Sequence, residues 1–550
     1  MTAESHRELA APVDSRAGRA DHESVPWWSL GLLGTALLGA AGWFAWSLPA
    51  TASRRGRSSA ALADRLGPWR WLIEHGAPPS GSNWLAASLV VTTAVFFLAW
   101  IGIVIICWRQ GSTKVVRAVL ALVAAAAAIG VVALPNQTSD VYDYALFGRV
   151  VSVHGGAAYH DLPDQYPTDP TYQYASHQYT GKPDNKLPVW TATAVAVTAV
   201  AGDDPVVVLL AFRALLAAAT VATAALVAST LRRVRPGTAA AGVAVFGLCP
   251  VTVVYGASKT DALMALFLVA GLALVARGRD RWGTFAMALS VLVKLITVPV
   301  LALVVALPGS AAAPSEARGW GRARSVLTRA AVALGVAIAA YATVEDPFGV
   351  ARRQISGSSA GSVLPAGHGA AVVVFLLLLF LVAAMGWRSD PSSDVERATA
   401  LFRRSAVFLV VFAALLTRPG LPWYLMSALA AVALCRSRAM LAVLAPLSAL
   451  SFLLGWWDTI GTRAHPLPSL GVDRPLVYLG LALVAAAAVL VGAIRARSGA
   501  GPVAWVDGLR FSGARSTSTP PRDRRGAGRS PQRSCLPQPA TRTARPDADR

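Results

Sequence analysis

Apolar runs of roughly twenty residues recur along this chain, and that recurrence limits its folds more than any other feature. A bilayer core of about 30 Å takes about 20 residues of helix to cross. Inside it every backbone N–H and C=O must be satisfied within the protein, which leaves helices or closed barrels. Separate apolar runs of this length predict an all-α polytopic membrane protein. The composition agrees: 14% of the 550 residues are charged, against about 25% in soluble domains, and the mean hydropathy is +0.51.

Spans are predicted near 28–48, 82–107, 114–134, 205–230, 237–257, 260–276, 326–344, 369–387, 401–418, 421–436, 438–457 and 475–495. About 12–13 transmembrane helices result, accompanied by re-entrant or interfacial helices. Val189–Ala201 is too short to cross and reads as interfacial or re-entrant. The apolar segment 282–307 is interrupted by Lys294 and Pro299. A full crossing there would put the arginines of Arg318–Arg329 outside, against the positive-inside rule, so a broken, re-entrant pair of half-helices is expected. The first run, Trp27–Leu48, is longer than a signal-peptide core and reads as an uncleaved span. Three regions follow: a disordered tail over 1–26, a transmembrane domain over 27–495 and a disordered Arg/Pro-rich tail over 496–550.

The net charge of +21 does not point to nucleic acid. Twelve arginines lie in the tail from Arg495 to Arg550, and many others sit in short clusters beside apolar runs. That distribution suits topology signals and anionic membrane lipids. With the re-entrant segment, the clusters at Arg109–Arg117, Arg232–Arg235, Arg277–Arg281, Arg397–Arg404 and Arg436–Arg438 share the cytoplasmic side. Arg54, Arg55 and Arg57 are the exception. The cysteines and histidines show neither metal-ligand spacing nor a disulfide framework, so no metal and no cofactor are expected.

One stretch breaks the apolar pattern. Residues 135–188 are polar and aromatic, hold six aspartates, three histidines and two of the five lysines, and fall outside the cytoplasm in this topology. A loop too long for a connector usually carries function. In Asp140-Val141-Tyr142-Asp143-Tyr144, just after a span, a partly desolvated carboxylate gains basicity, as a general base for a sugar hydroxyl requires. If helical, Asp140 and Tyr144 share a face at i, i+4. The alternative is an N-cap at Asp140 and a solvated acid at Asp143.

The pattern SDVYDYALFGRVVSVHGGAAY (139–159) resembles the first extracytoplasmic loop of GT-C glycosyltransferases, and is especially similar to bacterial polyprenol-phosphate-mannose-dependent α-mannosyltransferases. CPVTVVYGASKTDALM (249–264), SVLVKLITVPVL (290–301) and RPGLPWYLMSALA (418–430) resemble further segments of that family in order and position. Lys259 stands where the relatives carry histidine, and Cys249 where they carry asparagine. Asn185–Trp190 stands where close relatives have Tyr-Gly-Pro-Leu-Trp.

The resemblance implies a membrane transferase moving a hexose, mannose first, from a polyprenyl-phosphate sugar donor to a glycan or glycolipid acceptor, with inversion and an Asp base. The loop at 135–188 becomes the roof of the catalytic site on the extracytoplasmic face of the bacterial cytoplasmic membrane. Asp140 is the first candidate for the base and Asp143 the second. The leaving phosphate is already a stable anion and needs cationic support more than a proton. Arg149, Lys186, Lys259 and Lys294 are candidates for it, as are Lys182, Arg352 and Arg353. Asp261 would orient Lys259 or a sugar hydroxyl, with a simple turn ion pair as the alternative. Trp423 and Tyr424 would stack on sugar or flank the lipid, or belong to an interfacial aromatic belt. Lys294 and Arg213 are charges at membrane depth, where a functional role is the first reading and pairing with a carbonyl the second. The competing function is a lipid-linked sugar flippase or multi-pass secondary transporter; the chain shows one broken segment and no matching repeat.

Overall fold

A computed structural model describes residues 27–51, 65, 83–133, 140–307, 318–344, 393–416, 421–435 and 437–461. Both expected tails, the spans at 369–387 and 475–495, and Arg352 and Arg353 lie outside the described residues. Among the described residues there is no strand. The helices are α1 (Trp27–Thr51), α2 (Asn83–Arg109), α3 (Thr113–Val132), α4 (Asp140–Ser152), α5 (His177–Thr180), α6 (Pro188–Ala201), α7 (Pro205–Val234) and α8 (Ala239–Gly247). They continue with α9 (Pro250–Tyr255), α10 (Asp261–Ala276), α11 (Asp280–Val293), α12 (Val298–Ala306), α13 (Arg318–Tyr341), α14 (Asp394–Leu416), α15 (Leu425–Cys435) and α16 (Arg438–Gly461). Among the described residues, six stretches are long and apolar enough to cross a membrane, in α1, α2, α3, α7, α13 and α16. The chain is an all-α polytopic membrane protein.

Several expected spans are shorter or broken, each for a local reason. The run 237–257 splits into α8 and α9 because Pro250, placed at the first turn of α9, cannot continue α8. The segment 421–436 opens as a 3-10 turn at Pro422–Tyr424 and leaves α15 with 11 residues. The stretch 135–188 is not simply a surface loop: Val141 to Val150 of α4 are all buried. Pro188 and Pro205 start α6 and α7, and the Asp204 side chain caps α7 by accepting from the Val206 N–H at 2.9 Å.

The 30-residue α7 runs through the middle of the bundle, packed by α3, α4, α6, α8, α10 and α15. Its Arg213, buried at depth, donates to the carbonyls of Val131 and Ala133 and so satisfies the open C-terminal end of α3. Near α1, Phe44 stacks on Phe96, and Phe452 and Trp456 pack against them edge-on and tilted.

Two helix pairs approach at glycine. A Cβ on Gly148 of α4 would lie 2.6 Å from the Ala194 carbonyl oxygen of α6. Between α10 and α11, Gly271 and Gly283 would each put a Cβ 2.9 Å from the other's carbonyl oxygen. Small residues let helix backbones meet closely where the hydrophobic effect drives little association. The segment after α11 then doubles back. Lys294 is extended (φ −161°, ψ 130°), Leu295–Thr297 form a 3-10 turn and α12 follows. Arg329 of α13 bonds both Leu307, at the end of α12, and Asp280, at the start of α11. The broken segment therefore leaves one end of the bundle and returns to it.

A side chain at Gly148 has no room to relax, so Gly148→Val should cost about 1–3 kcal/mol by overpacking and lower the melting temperature in detergent. Gly31→Ala, where a Cβ meets nothing within 4 Å, should leave it unchanged within error.

Candidate functional site

Four segments distant in sequence meet around two carboxylate–ammonium pairs. Asp140 opens α4, Lys259 lies in the turn between α9 and α10, and Asp261 opens α10. Lys294 sits at the break after α11, and Trp423 and Tyr424 form the 3-10 turn before α15. Lys259 Nζ donates to Asp140 Oδ2 at 2.5 Å. Lys294 Nζ donates to both carboxylate oxygens of Asp261 at 2.9 Å. Each ammonium also rests on a ring: Lys259 lies 3.9 Å from the centroid of Trp423, and Lys294 3.8 Å from that of Tyr424.

Helix ends favour this charge pattern. Both carboxylates stand in the first turn of a helix, where the backbone dipole supports negative charge. Lys294 caps the C-terminal end of α11, where positive charge is favoured. Exposure divides each pair. The side chains of Lys259 and Asp261 are 2% and 1% exposed, whereas Asp140 and Lys294 are 24% and 21% exposed. One carboxylate and one ammonium thus face outward, each backed by a buried partner of opposite charge.

Tyr144 donates to Asp140 at 3.3 Å, as the i, i+4 spacing predicts. Tyr144 and Tyr179 flank Lys186 Nζ, at 5.7 and 5.9 Å from their ring centroids. Asp184 fixes the start of α6 by accepting from the Lys186 N–H at 2.9 Å and the Thr191 hydroxyl at 2.7 Å. Asp143 lies deeper, 4% exposed, and accepts from the Ser176 N–H at 2.7 Å.

The structure brings together Asp140, Lys259, Asp261, Lys294, Trp423 and Tyr424, with Lys186 over the ring of Tyr144. Lys259 and Asp261, adjacent candidates in one turn, bond to Asp140 and Lys294 instead of to each other. Arg149 is engaged elsewhere. Its guanidinium, 2% exposed, donates to Asp169 at 2.8 Å, Asp203 at 2.8 Å and the Gly202 carbonyl at 2.7 Å. His154 contacts the same Asp169 oxygen at 2.9 Å. This clamp ties the polar loop to the turn between α6 and α7, and no motif marked Asp169 or Asp203 in advance. Among the described residues no three His, Cys, Asp or Glu side chains form a metal-binding group.

Burial opposes ionisation of Asp169, but the Thr171 hydroxyl, Arg149, the Thr171 N–H and His154 outweigh it, holding the carboxyl below its ordinary 3.8. A carboxyl depressed on folding stabilises the fold above its unfolded value, and that contribution is lost as pH falls through the lower folded value. The difference in melting temperature between wild type and Asp169→Asn should therefore stay constant from about pH 8 to 5 and shrink only below about 4. The other paired acid gives a second expectation. Lys294→Met strands a buried carboxylate and should cost about 3–5 kcal/mol, and adding Asp261→Leu should recover most of it in chemical unfolding.

Residues 28–310 match the family model described as "MptA_B_family: Alpha-(1->6)-mannopyranosyltransferase, N-terminal domain". No curated protein and no solved structure matches the chain. The matched stretch takes in Asp140, Lys259, Asp261 and Lys294, and ends before Trp423 and Tyr424. By a match over half its length, the chain belongs to the MptA_B family of α-(1→6)-mannopyranosyltransferases.

Proposed function

We propose that this membrane mannosyltransferase takes mannose from a polyprenyl-phosphate donor and passes it to a glycan or glycolipid hydroxyl. The reaction is an inverting displacement on the extracytoplasmic face of the cytoplasmic membrane. The observation that carries this reading is the pairing of partly exposed Asp140 with buried Lys259, beside the second ammonium of Lys294.

Each charged group of the cluster has a task. The acceptor hydroxyl gives its proton to Asp140 as its oxygen bonds the anomeric carbon. The bond from that carbon to the phosphate oxygen breaks, and the electron pair leaves on the phosphate. Lys259 and Lys294 lie where they would neutralise the growing charge of that phosphate. An arriving phosphate competes with Asp140 for Lys259, which releases the carboxylate to act as base. One displacement needs one carboxylate base, unlike the two of a glycosidase. Since it inverts, an α-linked product of the kind in the family's description requires a β-linked donor. Trp423 and Tyr424 hold the ammonium groups in place and offer ring faces to a sugar. Arg149 keeps the loop on the bundle, and its role in donor binding is indirect.

The polar loop and the clustering of all these groups at one end of α10 and α11 support an outer-face site, because the arginine-rich turn lies at the other end. Membranes carrying the protein, given radiolabelled polyprenyl-phosphate mannose and oligomannoside acceptors, should transfer label to the acceptor. Asp140→Asn should reduce transfer by about 10²–10⁴-fold, with the folded protein recovered in normal yield. Survival in Asp140→Asn alongside loss in Asp143→Asn would move the base to Asp143. Intact labelled donor with every acceptor would overturn the donor assignment and favour a carrier.

A further inference from the structure

The end of the bundle opposite the candidate site holds a second charged cavity, and it is independent of the proposed reaction. The turn between α10 and α11 and the start of α13 enclose an open cavity of about 550 Å³. Arg279, Arg281, Arg324 and Arg329 line it, with Asp280 as the one acid in its lining among the described residues. The 16 residues of α10 place it about 24 Å from Asp261, close to the thickness of a bilayer core.

The charge here is not balanced from within. Asp280 receives two guanidinium groups, from Arg329 at 3.2 Å and Arg397 at 2.6 Å. Both arginines are buried, 1% and 4% exposed in their side chains. Among the described residues, the Nε atoms of both and Asp280 Oδ1 are buried without a hydrogen-bond partner. The forks of Arg279, Arg281 and Arg324, which line the cavity, match phosphate oxygens well. The Ser325 hydroxyl adds a further polar group to the lining.

The walls are apolar outside. Trp282 and Phe285 of α11 are 65% and 38% exposed, and Leu327, Leu334 and Ile338 of α13 are 67%, 61% and 60% exposed. An arginine cavity bordered by outward apolar helix faces has the shape of a lipid site: headgroup inside, acyl chains along α11 and α13. We propose that this cavity binds the phosphate headgroup of an anionic phospholipid from the leaflet opposite the candidate site, which is the cytoplasmic leaflet in the proposed orientation.

The test is native mass spectrometry of the full chain released from micelles containing equal phosphatidylglycerol and phosphatidylcholine of matched chains. Wild type should retain phosphatidylglycerol preferentially, and Arg281→Gln/Arg324→Gln should reduce that preference about tenfold. Arg232→Gln/Arg233→Gln, changing exposed arginines at the end of α7, should keep it. Equal retention of both lipids, or equal loss in the two double variants, would overturn the site. Displacement by about 10 mM inorganic phosphate would overturn the lipid assignment in favour of a soluble anion. If the Arg281→Gln/Arg324→Gln protein does not fold, a photoactivatable phosphatidylglycerol on wild type replaces it. Labelling within α11 and α13 supports the site, and labelling spread evenly over the bundle overturns it.

Discussion

Burial leaves an isolated charge with little solvation, and the candidate site is built around that constraint. Asp140, Lys259, Asp261 and Lys294 bring two negative and two positive charges into a mostly buried setting. Each is neutralised by an opposite charge within hydrogen-bond distance and favoured by a helix end or an aromatic face. Remove any one, and its partner is left charged with little solvent around it. The positions of α4, α10, α11 and the 422–424 turn are therefore linked through the same four side chains. Architecture and chemistry here have a common cause.

The polar loop shows the same economy at the membrane surface. Arg149 is one of ten consecutive buried positions on α4 flanked by acids of the loop. Burial alone would disfavour its charge, but Asp203 and Asp169 more than offset this and raise its proton affinity above the ordinary guanidinium value. A stretch rich in Gly, Pro, Asp and Tyr, which buries little apolar surface of its own, is thus held by one charged knot. The loop acids Asp161, Asp164 and Asp184 hold turns within it in a similar way.

What the sequence made visible follows from how local each signal is. The spacing of Asp140 and Tyr144 is a property of one helical turn, and the two side chains do bond. Lys294 and Pro299 interrupt an apolar run, and the helix breaks where they stand. Pairings across the bundle carry no such local mark. Lys259 and Asp261, two apart, take different partners because the turn between them points their side chains apart. Lys259 reaches back 119 positions to Asp140, and Asp280 is joined to Arg397 117 positions on. Arg149 looked like a spare cation in a polar loop, since nothing in the pattern singled out Asp169 or Asp203 as its partners. Where apolar content continues through Pro250 and Pro422, the helices are shorter than the apolar runs, because hydropathy does not register a missing N–H.

The two glycine crossings bear on how the site can move. With backbone against backbone at Gly148–Ala194 and at Gly271–Gly283, neither α4–α6 nor α10–α11 has a cushion of side chains to compress. Each pair behaves as a stiff slab, and Asp140–Lys259 is a rivet across the seam between them. Bistable packed interfaces shift by small sliding steps, not by continuous bending. Sliding of one slab against the other therefore requires that ion pair to break first, which ties any movement of the helices to the protonation or displacement of two side chains.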